Sequence, residues 1–130
     1  QLEHVLSGAI RLMEESEPQV EIRMPRQTVR MPHGQIAAIA SHGHTLDVFT
    51  VSGACLKSSQ TFAELEAMLQ GDERFLPCNR GVLVNMDEAL KLDGDSIILM
   101  NGMRFPIRQR NRLEMVNRFS EYQIRRMKRG

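Results

Sequence analysis

The stretch Glu73–Asn85, ERFLPCNRGVLVN, places Asn79, Arg80 and Gly81 between two apolar runs. RFLPC reads as short and extended, and VLVNM (82–86) as a strand. A strand interior does not ordinarily carry an amide beside a guanidinium. The triplet therefore reads as a bend, closed by glycine, that projects polar groups outward. Two uses of that bend stay open. Arg80 pairs with a carboxylate such as Glu73 or Asp87 while Asn79 satisfies the turn, or both side chains face a ligand.

The flanking sequence repeats the same short period. VEIRM (20–24), TVRM (28–31), IAAIA (36–40), TLDVFTV (45–51) and ACLKS (54–58) are strand-length segments separated by Pro, Gly and Ser turns. ALKL (89–92), SIILM (96–100) and MRFPI (103–107) follow, joined by Gly-Asp and Asn-Gly turn signals. This spacing argues against βαβ winding. It predicts a mainly β domain of small antiparallel sheets. Two helices interrupt it. TFAELEAMLQ (61–70) has Thr61 and Glu64 in a capping-box pattern and an apolar stripe of Phe62, Leu65 and Leu69. A C-terminal helix is predicted over 111–127, on Leu113, Val116, Phe119 and Ile124, with a fraying end.

The first 18 residues carry Leu2, Val5, Leu6, Ile10 and Met13 near one helical face. They read as a linker or dimer-contact helix (1–18), with the domain itself spanning 19–130. The chain begins at Gln1 and shows neither a signal peptide nor an apolar run of membrane-spanning length. The expectation is a cytoplasmic piece of a longer protein.

The 130 residues carry a net charge of +1, which alone predicts no polyanion partner. Its distribution says more. Residues 101–130 hold nine basic and two acidic side chains, a net +7, and eight of the nine are arginine. Arginine's planar fork suits phosphate and guanine edges. Cys55 and Cys78 lack zinc-ligand spacing and read as reduced thiols. His42 and His44 flank Gly43 without the carboxylate or thiol neighbours of a metal site, Asp47 apart. No phosphate loop, dinucleotide fingerprint or nucleophile–base pattern occurs. The chain reads as non-enzymatic, with no cofactor.

From Ile36 onward the ordered pieces resemble the LytTR family, the DNA-binding output domain of many bacterial response regulators. IAAIASHGHTLDVFTVSG is similar to the family's strand–loop–strand opening, and TFAELEAML to its short helix. ERFLPCNRGVLVN is similar to its signature, an aromatic followed by a His-Arg-Ser-like triplet and Val-Asn. MDEALKL, IILMNGMRFPI and the Arg-rich stretch complete the order over roughly 19–119. Arg80 and Asn85 match the family pattern. Asn79 stands where His is usual, Gly81 where Ser is usual, Pro77 where a basic residue is common, and Arg108 where Ser is typical.

The resemblance implies double-stranded DNA as partner, read by loops in successive major grooves as two copies, or a homodimer, on repeated sites. It implies a receiver or sensor domain N-terminal to this stretch. Carried over, it assigns His42 and His44, Asn79 and Arg80, Asn85, and Arg108 and Arg110 to DNA. Arg112 joins them because no carboxylate nearer than Glu114 stands in its own stretch. The rival reading is a protein-interaction or ligand-sensing β domain whose Arg-rich end serves an acidic partner.

Overall fold

A computed structural model describes residues 17–129, so the expected helix or linker at the N-terminus lies almost wholly outside the described residues. Among the described residues, ten strands form three antiparallel sheets. β1 (Gln19–Arg23) and β2 (Thr28–Pro32) make a separate hairpin. The central sheet has five strands in the order β5–β4–β3–β7–β6. These are β3 (Ile36–His42), β4 (Thr45–Thr50), β5 (Cys55–Ser58), β6 (Phe75–Asn79) and β7 (Val82–Asn85). The third sheet is ordered β10–β9–β8, from β8 (Ala89–Asp93), β9 (Ser96–Leu99) and β10 (Arg104–Pro106). Helix α1 spans Phe62–Met68 and α2 spans Arg112–Arg129.

The five-stranded sheet is covered on both faces, and its side-chain alternation sorts two cores. Ile36, Ile39, Leu46, Val48, Phe75 and Leu83 face Val20 and Ile22 of the hairpin and Leu65 and Leu69 of α1. Ala38, Leu76, Cys78 and Val84 face the other way, against Ile97, Leu99 and Phe105 of the third sheet and Met115, Phe119 and Tyr122 of α2. Buried Gln60 fastens the hairpin to this stack. Its Oε1 accepts from Arg23 N (2.9 Å) and Ser58 Oγ (2.7 Å), and its Nε2 donates to Glu21 O (2.8 Å).

The capping reading of α1 is half of what forms. Thr61 Oγ1 accepts from Glu64 N at 3.1 Å, but the Glu64 carboxylate turns to Arg23 at 2.6 Å instead of returning to the cap. In α2 the expected face holds at Phe119, which is buried, and at Val116, which packs against the core, but not at Leu113 and Ile124. Leu113 and Ile124 are 74% and 52% exposed, and the buried positions are Met115, Phe119 and Tyr122. The helix does not stop at 127. Tyr122 Oη donates to Asp87 Oδ1 (2.7 Å), and Gln123 and Arg126 both donate to the Met86 carbonyl, which ties the last turns to the body.

Candidate nucleic-acid interface

Three turns that are distant in the chain meet at one end of the central sheet. The first joins β3 to β4 through His42, Gly43 and His44, with Gly43 in the left-handed region (φ 62°). Thr45 Oγ1 donates to His42 O at 2.9 Å, and both histidines are exposed. The second joins β6 to β7 through Arg80 and Gly81. Antiparallel pairing of β3 with β7 sets these two turns side by side, and Ser41 N donates to Gly81 O at 2.8 Å. Gly81 has φ 71°, and a Cβ there would sit 3.0 Å from that of Ser41. Glycine is therefore required twice, by the turn and by the approach of its neighbour.

The third is the connection from β10 to α2, residues 107–111. Arg108 N donates to Cys78 O at 2.8 Å, and Asn79 Nδ2 donates to Pro106 O at 3.1 Å, so this connection lies along the end of β6. Asn111 takes φ 61°, a conformation asparagine tolerates better than most residues, and its carbonyl accepts the first α2 bond, from Met115 N at 3.1 Å. The left-handed Asn111 was not anticipated from sequence, although asparagine is among the residues that adopt that conformation most readily.

The residues nominated from sequence now divide. Arg80 and Arg110 are exposed, and neither side chain has a hydrogen bond or ion pair among the described residues. The carboxylates weighed as partners for Arg80 are taken elsewhere: Glu73 by Arg125 (3.3 Å), Asp87 by Arg126 (3.3 Å) and Tyr122. Arg108 is half-buried, and its Nε is buried without a hydrogen-bond partner. Asn79 is occupied at both ends of its amide, since its Oδ1 also accepts from Arg80 N at 2.8 Å. In this arrangement it braces the second turn against the third.

The nomination of Asn85 needs correction, and Arg112 has a partner from another part of the chain. Asn85 is 1% exposed; its Nδ2 donates to Ile36 O (2.8 Å) and its Oδ1 accepts from Asp87 N (2.9 Å). It caps the short 3-10 helix Met86–Glu88 and its side chain is not available to a ligand. Arg112 is not left without a carboxylate: Asp95, in the turn between β8 and β9, pairs with it, and it also donates to Gly94 O at 3.3 Å. Asp93, the last residue of β8, is taken by Arg104 at 3.1 Å.

Taken together, the three turns carry Arg80, Arg108, Arg110, His42 and His44 and no carboxylate. The nearest acidic turn is neutralised by Arg104 and Arg112. A cationic end whose Arg80 and Arg110 forks are unpaired among the described residues is suited to a phosphate backbone and to base edges. Beneath it lies Cys78. Burial pushes its thiol up to about 12, while the neighbouring Arg108 charge pulls weakly the other way. No group of His, Cys, Asp and Glu among the described residues could hold a metal, and no described helix is long and apolar enough to cross a membrane.

A small-sheet β domain that presents cations on clustered turns defines the class. The LytTr DNA-binding domain family matches residues 26–120, and this chain belongs to it. The chain is also similar to a solved LytTr DNA-binding domain of a methyl-accepting/DNA response regulator from Bacillus cereus. That similarity has a TM-score of 0.62 at 15% identity, over 82% of this chain and 96% of that one, and concerns the fold. No curated protein matches the sequence.

Proposed function

We propose that this chain is the sequence-specific DNA-binding output domain of a cytoplasmic transcriptional regulator. The observation that carries the reading is the convergence of three turns bearing Arg80, Arg108 and Arg110, with the first two turns' approach dependent on Gly81. Arg80 and Arg110 read bases, because their forks are free, exposed and on narrow turns that fit a major groove. Arg108, half-buried where the second and third turns meet, contacts phosphate with its charge. His42 and His44 touch the adjacent backbone or base edge. Two copies on repeated sites double the contact surface, under an input domain, receiver or sensor, on the N-terminal side.

The test is selection of bound duplexes from a random library, then affinity for the selected and a scrambled duplex across a salt series. The expected result is preference for the selected site and a log-linear fall with salt, the slope being about −0.9 per phosphate neutralised. Equal affinity for both duplexes overturns sequence reading. Absence of DNA binding, with capture of an acidic peptide, supports the interaction-domain alternative.

A further inference from the structure

Helix α2 is apolar on two sides, and the described fold uses one of them. Met115, Phe119 and Tyr122 face the core. Leu113, Ile124 and Met127 face solvent, 74%, 52% and 78% exposed. Apolar residues exposed singly need no explanation, but these three are in register. With Asn117 and Ser120 they recur at steps of four, three, four and three residues. That period keeps one seam of a helix turned towards a second helix. All five positions are exposed, and none is charged.

The seam and its flank fit a copy of themselves running the other way. A second α2 crossing antiparallel near Ser120 sets Leu113 of each chain against Ile124 and Met127 of the other. The small Asn117 and Ser120 lie at the crossing, where they let the two backbones approach. One flank of the seam carries charge in the order Glu114, Arg118, Glu121, Arg125, Lys128. Reversed along a second copy, that order brings Glu114 opposite Arg125 and Lys128, and Glu121 opposite Arg118. Glu114, Arg118, Glu121 and Lys128 have no ion pair among the described residues, while Arg125 pairs with the exposed Glu73 at 3.3 Å. Opposite signs therefore meet at both ends of a two-fold contact, which is what a self-complementary surface requires.

We propose that the outer face of α2 is a self-association surface, on which a second copy of this chain docks its own α2 antiparallel about a two-fold axis near Ser120. Leu113, Ile124 and Met127 of each copy leave water there, and the flanking charges set the direction. Three large apolar side chains per copy make a small contact, so the pairing belongs to the weak, transient class. The inference does not depend on DNA binding, and its test does not use DNA.

The test is sedimentation equilibrium of the 130-residue chain from micromolar to near-millimolar concentration. The parent should show a reversible monomer–dimer equilibrium. Ile124→Asp places a charge in the seam from an exposed position, and should lower the association constant at least about tenfold without shifting the thermal melt. Glu121→Arg should also weaken pairing, by setting it against Arg118 of the other copy. Adding Arg118→Glu to that variant should restore the parental association, since the signs then oppose again. A chain that is monomeric at every concentration overturns the proposal. A dimer that Ile124→Asp leaves intact places the contact elsewhere, and a double variant no stronger than Glu121→Arg alone denies the antiparallel arrangement; either result overturns it.

Discussion

Asn79, Arg80 and Asn85 stand within seven residues of one another, and each spends its hydrogen-bonding groups differently. Asn79 braces two turns, Arg80 spends none of its side chain internally, and Asn85 is consumed by a buried cap. The bend at Asn79–Gly81 was legible because polar groups and glycine interrupt two apolar runs. The fate of Asn85 was not: a polar residue between Val84 and Met86 reads alike whether it caps a 3-10 turn or faces a ligand. The different roles give different expectations. Arg80→Ala should cost about 1–3 kcal/mol on the selected duplex and flatten preference at one base pair, with little change in folding. Fluorescence anisotropy on selected and scrambled duplexes checks it, and an equal loss on both makes Arg80 a phosphate contact. The thiols should also separate. Cys55 is exposed, whereas Cys78 is buried with its thiol pushed up to about 12. One thiol per folded chain should react with a thiol reagent at pH 8, and two after unfolding. Rapid modification of both in the folded chain would contradict the packing beneath Arg108.

At the scale of elements, the turns were the most readable feature, since glycine and proline mark them and period-two alternation fills the spaces between. The β8–β9 turn shows where that reading stops. Its Gly94 was recognisable, but the use of Asp95 to neutralise Arg112 depends on a contact across the fold. The core face of α2 was legible at Val116 and Phe119, but Leu113 and Ile124 were misassigned for a related reason. Its apolar residues occur on two sides, and only packing decides that Met115, Phe119 and Tyr122 go inward. These assignments separate the three arginines. Arg108→Ala should reduce the magnitude of the salt slope by about one unit and weaken all sequences alike, whereas Arg110→Ala should lose more on the selected duplex than on a scrambled one. Arg112→Ala should keep the parental slope and cost about 0–1 kcal/mol of stability, as befits a partly exposed pair. A changed slope for Arg112→Ala, an unchanged slope for Arg108→Ala, or an equal loss on both duplexes for Arg110→Ala would overturn these assignments. Gly81→Ala tests the geometry of the turns themselves. With φ 71° and a 3.0 Å approach to Ser41, it should destabilise the fold by about 1–2 kcal/mol and displace the second turn from the first. A thermal melt superimposable on the parent's would show that the turns tolerate a Cβ.

Across the whole molecule, the central sheet has two chemically different ends. The cationic turns lie at the ends of β3 and β6, and the start of both strands is held by a network reaching back to the entering chain. Asp72 Oδ2 lies 2.8 Å from His33 Nδ1 and 2.8 Å from Arg74, and Arg74 reaches Glu17 at 3.5 Å. Gly34 leaves space for this pair, since a Cβ there would sit 2.9 Å from both Glu17 Oε1 and Arg74 Nη1. None of this was visible in the sequence, where the partners are separated by as many as 57 residues. It has a pH signature. Burial alone would raise the Asp72 carboxyl, but hydrogen bonds from Arg74 and His33 and the Arg74 charge outweigh it and hold the group at about 2, against 3.8 unperturbed. A folded-state value below the unfolded one contributes stability in full above pH ~4. That contribution is lost as the pH falls from ~4 through about 2, where the folded chain must also take up the proton. Denaturant unfolding at steps from pH 6 to pH 2 should therefore show a loss in the parent, below pH ~4, that Asp72→Asn largely lacks. The variant should be less stable than the parent at pH 6, and the two curves should converge towards pH 2. Parallel curves at every pH would mean that the Asp72 network contributes no differential protonation, and that the start of β6 is held by packing alone.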